Sequence, residues 1–234
     1  MRAALIALLL FASFPAVCQT KRAAIWFDKP MKVKWFVGPN ESEPLELSVR
    51  GLWVAGKLRE FTTGEPHDVT DHLFVIRRAY RLNDRLPDDE KKIPQWRWAR
   101  GGWLLVNRLT GSVTHLRLPE FEPYYSSAAW YRDYVAYCGI SDDAERVYAV
   151  VFQIGQKKPL LHRSLGRAFA RPMPDTECAT PQWQRQPARV TFQRENLPPL
   201  TFEVRGSRAE FVEEEQPEPP ETPPAPSADR EEQE

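Results

Sequence analysis

Cysteine, histidine, methionine and glycine are scarce: the 234 residues contain three Cys, four His, three Met and 11 Gly. Three cysteines cannot build the dense disulfide framework of a small secreted scaffold, and none stands in the C-x-x-C spacing of a zinc site. No G-x-S-x-G, H-E-x-x-H, Walker or Rossmann glycine pattern occurs, so the commonest hydrolase, metalloprotease, nucleotide and dinucleotide chemistries lose their usual sequence support. A single apolar run approaches spanning length, near the start, which excludes a polytopic membrane protein. Neither charge sign dominates, with 32 Lys and Arg against 32 Asp and Glu. Helical periodicity is nearly missing; residues 164–170 alone are patterned for a short turn or two of helix.

What is abundant is apolar and stiff. Hydrophobic residues make up 42% of the chain, with eight Trp and 22 Pro, so a real core is affordable and the length suits one or at most two domains.

The first residues read as an export signal. Arg2 supplies the positive charge, residues 3–14 are uninterrupted small and apolar side chains, and Pro15 breaks any helix ahead of Ala16-Val17-Cys18. Ala16 and Cys18 fit the small-residue positions of a signal peptidase. Residues 1–18 are therefore expected to be a signal peptide, leaving a periplasmic or extracellular chain that begins near Gln19 with no transmembrane span. The alternatives are a membrane anchor, for which the run is short, and lipid attachment at Cys18, where Val17 stands in place of a small residue.

Removal of Cys18 leaves Cys138 and Cys178 in an oxidising compartment. One bridge closing a loop of about 40 residues is expected, worth about 3 to 4 kcal/mol in the chain-entropy model. Two buried free thiols or a catalytic thiol are the other readings, and no histidine lies near either cysteine in sequence.

The overall charge balance hides an asymmetry. From Glu213 to Glu234 nine acids face one base, Arg230, among six prolines, so residues 212–234 are expected to form a disordered acidic tail. Arg2 and Arg230 leave with the terminal segments and nine acids leave with the tail, so 30 bases face 23 acids in between. The tail either folds back over a basic face or serves as a solvated spacer, the second being the commoner use of such runs.

Strand signals dominate residues 19–211. Met31-Lys32-Val33-Lys34-Trp35 and Leu45-Glu46-Leu47-Ser48-Val49-Arg50 alternate with a period of two, which gives each a buried face and an open one. Residues 73–79 are a denser apolar run. Hairpins are expected from Trp103-Leu104-Leu105-Val106 through Gly111 into residues 112–118, from 134–140 through Ser141-Asp142-Asp143-Ala144 into 146–154, and from 190–192 across 196–199 into 202–204. Loops are expected at 38–44, 62–70, 83–94 and 171–186. The expected fold is mainly β: antiparallel sheets forming one sandwich or blade-like domain, with a smaller N-terminal sheet ending near Gly64 as the alternative.

Residues 128–143, Ala128-Ala129-Trp130-Tyr131-Arg132-Asp133-Tyr134 and onward, with Val147-Tyr148-Ala149-Val150-Val151, resemble the inner hairpin of a β-propeller blade of the TolB or WD40 type. Residues 103–118, with Leu109-Thr110-Gly111 at the turn, are similar to its outer hairpin, so the resemblance covers 103–152. No further copies recur at a period of about 40 residues, whereas a closed propeller needs ~4 blades or more. The resemblance therefore implies blade-like sheets in a small sandwich or an open fragment, and carries no implication for catalysis.

Trp96-Arg97-Trp98-Ala99-Arg100-Gly101-Gly102-Trp103 is the most unusual stretch. If extended, it places Trp96 and Trp98 on one face and Arg97 on the other, with room for a bulge at Gly101-Gly102. Two readings compete: indoles stacking on sugar rings with Arg97 or Arg100 fixing hydroxyls or acids, and indoles filling a small β core. Tyr124-Tyr125 and Trp130-Tyr131 are further aromatics for such a groove. His67-Asp68-Val69-Thr70-Asp71-His72 has metal-ligand residue types but reads more simply as a turn-forming loop. Asp142-Asp143 and Asp88-Asp89-Glu90 are paired carboxylates of the kind ordinary turns carry.

These readings lead to an exported, non-catalytic binding or interaction module, with no cofactor and no metal, facing envelope polysaccharide or an envelope protein. Nucleic acid is not an expected partner, since no binding module for it appears. Two alternatives stand beside it: a glycan-active enzyme with two facing carboxylates, and an assembly accessory that docks a partner through its proline-rich tail.

Overall fold

Period-two alternation does build this chain: among the described residues every regular element is a strand, and most pairings are antiparallel. The computed structural model describes residues 22–35, 45–83, 96–168, 178–195 and 197–212. The signal segment 1–18 with Cys18, the expected loop at 38–44, Asp88-Asp89-Glu90 and the acidic tail from residue 213 lie outside the described residues. Among those described, no helix is long and apolar enough to cross a membrane.

The described residues divide into two compact units, one reaching Leu118 and the other starting at Pro119. No Gly/Ser-rich or charged linker marks this boundary, so composition gave no warning of it.

The first unit contains β1 (Ile25–Phe27), β2 (Met31–Trp35), β3 (Leu45–Val54), β4 (Lys57–Thr70), β5 (Leu73–Asn83), β6 (Trp96–Asn107) and β7 (Val113–Leu116). Strands β2, β3, β4, β5 and β6 pair in succession, and a parallel contact between Trp35 of β2 and Trp98 of β6 closes them into a five-stranded ring. Register places Trp35, Leu47, Val49, Val75, Ala79 and Trp103 on its inner face, all buried, together with Thr63 and Arg77. On the outer face, β1 and β7 help cover a second cluster of Leu52, Phe74, Ile76, Leu104 and Val106.

Two departures from the expected loops have local causes. The expected loop at 62–70 is part of β4, because the register shift between Thr63 and His67 absorbs Gly64-Glu65-Pro66 as an irregularity within the strand. Its true hairpin turn is Ala55-Gly56, where φ of +49° and +78° supplies the two positive dihedrals that a two-residue turn between twisted strands requires. In β6 an extra residue at Gly101-Gly102 stands opposite Arg78, since Arg77 pairs with Trp103 but Ala79 pairs with Arg100. The bulge leaves the Gly101 carbonyl to accept a hydrogen bond from Arg77 Nε, at 3.3 Å.

The second unit holds two four-stranded antiparallel sheets. One comprises β8 (Ala128–Tyr131), β9 (Tyr134–Ile140), β10 (Arg146–Gln153) and β11 (Leu161–Arg167); the other comprises β12 (Gln182–Gln184), β13 (Arg189–Phe192), β14 (Leu200–Arg205) and β15 (Arg208–Val212). Their inner faces share one core: Ala136, Val147, Ala149, Val151 and Leu165 meet Val190, Phe192, Phe202 and Val204. Cys138 and Cys178 form the expected disulfide and belong to this core. Arg194, 7% exposed, donates to the carbonyl of Leu165 at 2.7 Å and ties the sheets together by hydrogen bonds. Tyr137 is fully buried and donates to the Pro119 carbonyl at 2.6 Å; burial pushes its phenol far above the ordinary range.

The turn of helix expected at 164–170 is not formed in the described part: Ser164 to Arg167 belong to β11, where pairing with β10 overrides a weak local preference. Strand β12 lies inside the expected loop at 171–186, and β15 runs one residue beyond the expected domain end at 211. The segments likened to one blade fall in different sheets, residues 103–116 in β6 and β7 of the first unit and 128–153 in β8 to β10 of the second.

Candidate functional site

Strand β6 enters the ring with Trp96, Trp98 and Arg100 on the inner face and Arg97 on the outer one, as alternation requires. Antiparallel pairing with β5 sets Arg81 opposite Trp98 and Asn83 opposite Trp96. The guanidinium carbon of Arg81 lies 5.4 Å from the Trp98 ring centre, 5.8 Å from that of Trp96 and 5.6 Å from that of Phe61. Phe61, carried by β4, meets Trp98 edge to face at 5.1 Å and 89°. One cation thus faces three aromatic rings, an attractive arrangement because each ring presents its negative quadrupole to the charge.

Exposure separates the two indoles. Trp96 is 59% exposed at the end of the strand pair where it faces Asn83, while Trp98 is half-buried one step further in. Two residues deeper, the Arg100 guanidinium sits 4.1 Å from the ring centre of Trp35, which is buried. Burial is therefore graded along one strand: core at Trp103, intermediate at Trp98 and exposed surface at Trp96.

Of the four residues marked from sequence, the fold gathers Trp96, Trp98 and Arg100 on one face. Arg97 sits on the opposite face, paired across from the exposed Leu82. Sequence reading missed Arg81, Phe61 and Trp35. The alternation of Arg77, Ala79 and Arg81 places Arg81 on the same face as Arg77, but only cross-strand register shows that this face meets the indoles.

The remaining candidates have local structural roles. Asp143 accepts hydrogen bonds from the Ser141 hydroxyl and the Glu145 amide in the β9–β10 turn, and these hold its carboxyl below the usual range. Asp68 pairs with Arg108, His67 lies in β4 opposite Val75, and His72 occupies the β4–β5 turn. Among the described residues no group of three His, Cys, Asp or Glu side chains could hold a metal ion. Tyr124 and Tyr125 lie within 6.3 Å of each other in the second unit, where Tyr131 and Tyr134 also flank Trp183 at 5.4 and 6.4 Å. The Trp183 indole nitrogen donates to the Ala129 carbonyl at 3.1 Å, so this second aromatic group joins β12 to β8.

The charge of the chain is equally uneven. Residues 19–118 carry 18 bases and 12 acids, whereas residues 119–212 carry 12 bases and 11 acids, so nearly all the excess positive charge belongs to the unit bearing the open indole. Comparison with protein-family models, with curated proteins and with solved structures finds no match to this chain.

Proposed function

We propose that the chain is an exported, non-catalytic binding module whose first unit contacts an anionic polysaccharide of the cell envelope or extracellular space. The observation that carries this reading is Trp96, an indole 59% exposed beside the exposed guanidinium of Arg81. A bare indole at a strand end costs solvation and gains nothing for the core, which is the usual condition of a contact residue. A sugar ring stacks on the open indole while Arg81, held over the rings, meets a carboxylate of the polymer. The basic excess of the first unit favours the same partner. The Cys138–Cys178 disulfide supports an oxidising compartment and hence export.

The test is retention of the purified protein on immobilised polygalacturonate and on neutral dextran across a salt series. Retention on polygalacturonate alone, weakened by salt and lowered about tenfold by Trp96→Ala or Arg81→Gln, is expected for an interaction worth ~1 to 2 kcal/mol. Equal retention on both polymers, or none, overturns the reading. Loss of retention on truncation after Val212, with Trp96→Ala silent, transfers the activity to the tail.

A further inference from the structure

The first unit carries a second feature, on the face of the sheet opposite the indoles. A pocket of about 260 Å³ is walled by Ile25, Phe27, Pro66 and Phe74 and rimmed by Arg22 and Arg108. Backbone pairing creates that rim: the Ala23 amide donates to the carbonyls of Arg108 and Leu109, at 3.1 and 3.3 Å, so Arg22 is fixed beside Arg108. Gly111 permits the approach. Its φ is +72°, and a Cβ there would stand 3.0 Å from that of Ala23 and 2.7 Å from Val54 Cγ1.

The charges at this rim do not cancel. Arg108 lies 4.6 Å from the Phe74 ring centre and donates to Asp68 at 2.5 Å. Arg22 is exposed and makes no ion pair among the described residues. Two guanidinium groups and one carboxylate leave a net positive charge over apolar walls. A cation is repelled by such a rim, and a neutral apolar molecule leaves its excess positive charge unmet. An inorganic anion satisfies the rim but leaves the walls wet. A ligand with an apolar body and an anionic end satisfies both.

We propose that this pocket binds a small amphipathic carboxylate, with a single ring or short acyl chain against Ile25 and Phe27 and its carboxylate on Arg22 and Arg108. The site stands apart from the indole cluster, because Phe27 and Phe74 occupy the outer face while Trp96 and Trp98 occupy the inner one.

Titration of the purified protein with phenylacetate, its neutral analogue phenylacetamide and the cationic phenethylammonium, followed by amide NMR shifts, tests it. Octanoate replaces phenylacetate in a parallel titration to separate ring from acyl preference. The expected result is saturable shifts at Ala23, Ile25, Phe27, Phe74 and Arg108 with phenylacetate or octanoate, at least about tenfold tighter than with the amide and absent with the cation, a ~1.4 kcal/mol discrimination. Arg22→Gln, at an exposed position that leaves the fold intact, weakens binding about fivefold or more while Trp96→Ala leaves it unchanged. Equal binding of acid and amide, shifts centred elsewhere, no binding at all, or an Arg22→Gln protein that binds as well as the parent each overturns the proposal.

Discussion

Inside the five-stranded ring, Arg77 shares the interior with Trp35 and Trp103, and Arg100 lies over Trp35. The second unit instead fills its interior with Val, Ala, Phe and Leu from two facing sheets and adds a covalent bridge. There the buried Arg194 donates from its terminal nitrogens to the backbone carbonyls of Leu165 and Arg167. The contrast shows two ways for a β unit of modest size to close its core. In the ring, long side chains lay methylene stems and a weakly hydrated cation against aromatic surface. In the sandwich, apolar faces meet directly and the bridge limits the freedom of the unfolded chain.

Removing a large side chain from the sandwich core is expected to have the largest effect. Phe202, 1% exposed and packed edge to face on Phe192 at 6.0 Å, should cost about 3 to 5 kcal/mol when replaced by Ala. Hydrogen exchange followed residue by residue should show the loss confined to 119–212; a matching loss of protection in 22–118 would break the division into independent units. Replacing Cys138 and Cys178 together by Ser comes next, at about 4 kcal/mol for a loop of this length. Urea unfolding should show the second unit's transition moving alone, and a shift in the first unit's transition would again break the comparison.

A smaller effect separates cation from packing in the ring. Arg100→Met keeps the stem over Trp35 but removes the charge, and should cost the first unit about 1 to 2 kcal/mol by urea unfolding. A stabilised variant would show that the ring gains nothing from the charge. The smallest effect concerns pH. The Glu203 carboxyl is held below its usual range by hydrogen bonds from Arg205 and then Arg189, and that of Asp143 by the Ser141 hydroxyl and the Glu145 amide. A depressed folded value means the stabilisation is complete above the ordinary carboxylate range and is lost as pH falls through it toward the folded value. Acid titration should therefore weaken the second unit below about pH 4.5, and Glu203→Gln should flatten that slope.

Much of this architecture was legible in the residues. Met31–Trp35 is a strand over its full expected span, because apolar and charged side chains alternate without interruption. Gly111 adopts the positive φ expected of its turn, and the hairpin of β9 and β10 turns where Ser141 and Asp143 cap it. The Gly101-Gly102 bulge also follows from local pattern, and the disulfide from the two cysteines that remain besides Cys18. What escaped was either masked by punctuation or non-local. Gly64 and Pro66 signalled a loop, yet long antiparallel partners on both sides carry β4 through them. The Ala55-Gly56 turn was hidden because alanine rarely adopts φ near +49°. The candidate site was half visible: the indoles could be named from spacing, but Arg81 reaches them only through a register that no local pattern encodes.

The ring closure at Trp35 and Trp98 joins strands that are distant in sequence, whereas each sheet of the second unit is a run of strands paired to their neighbours in chain order. Non-local closure carries the larger loop entropy and is slow; sequential hairpins form quickly. The second unit, which follows the first along the chain, is thus the one built to acquire its native pairings first, and its Cys138 waits for Cys178. Pulsed hydrogen exchange during refolding should find β9 and β10 protected before β2 and β6, so the order of assembly runs against the order of synthesis.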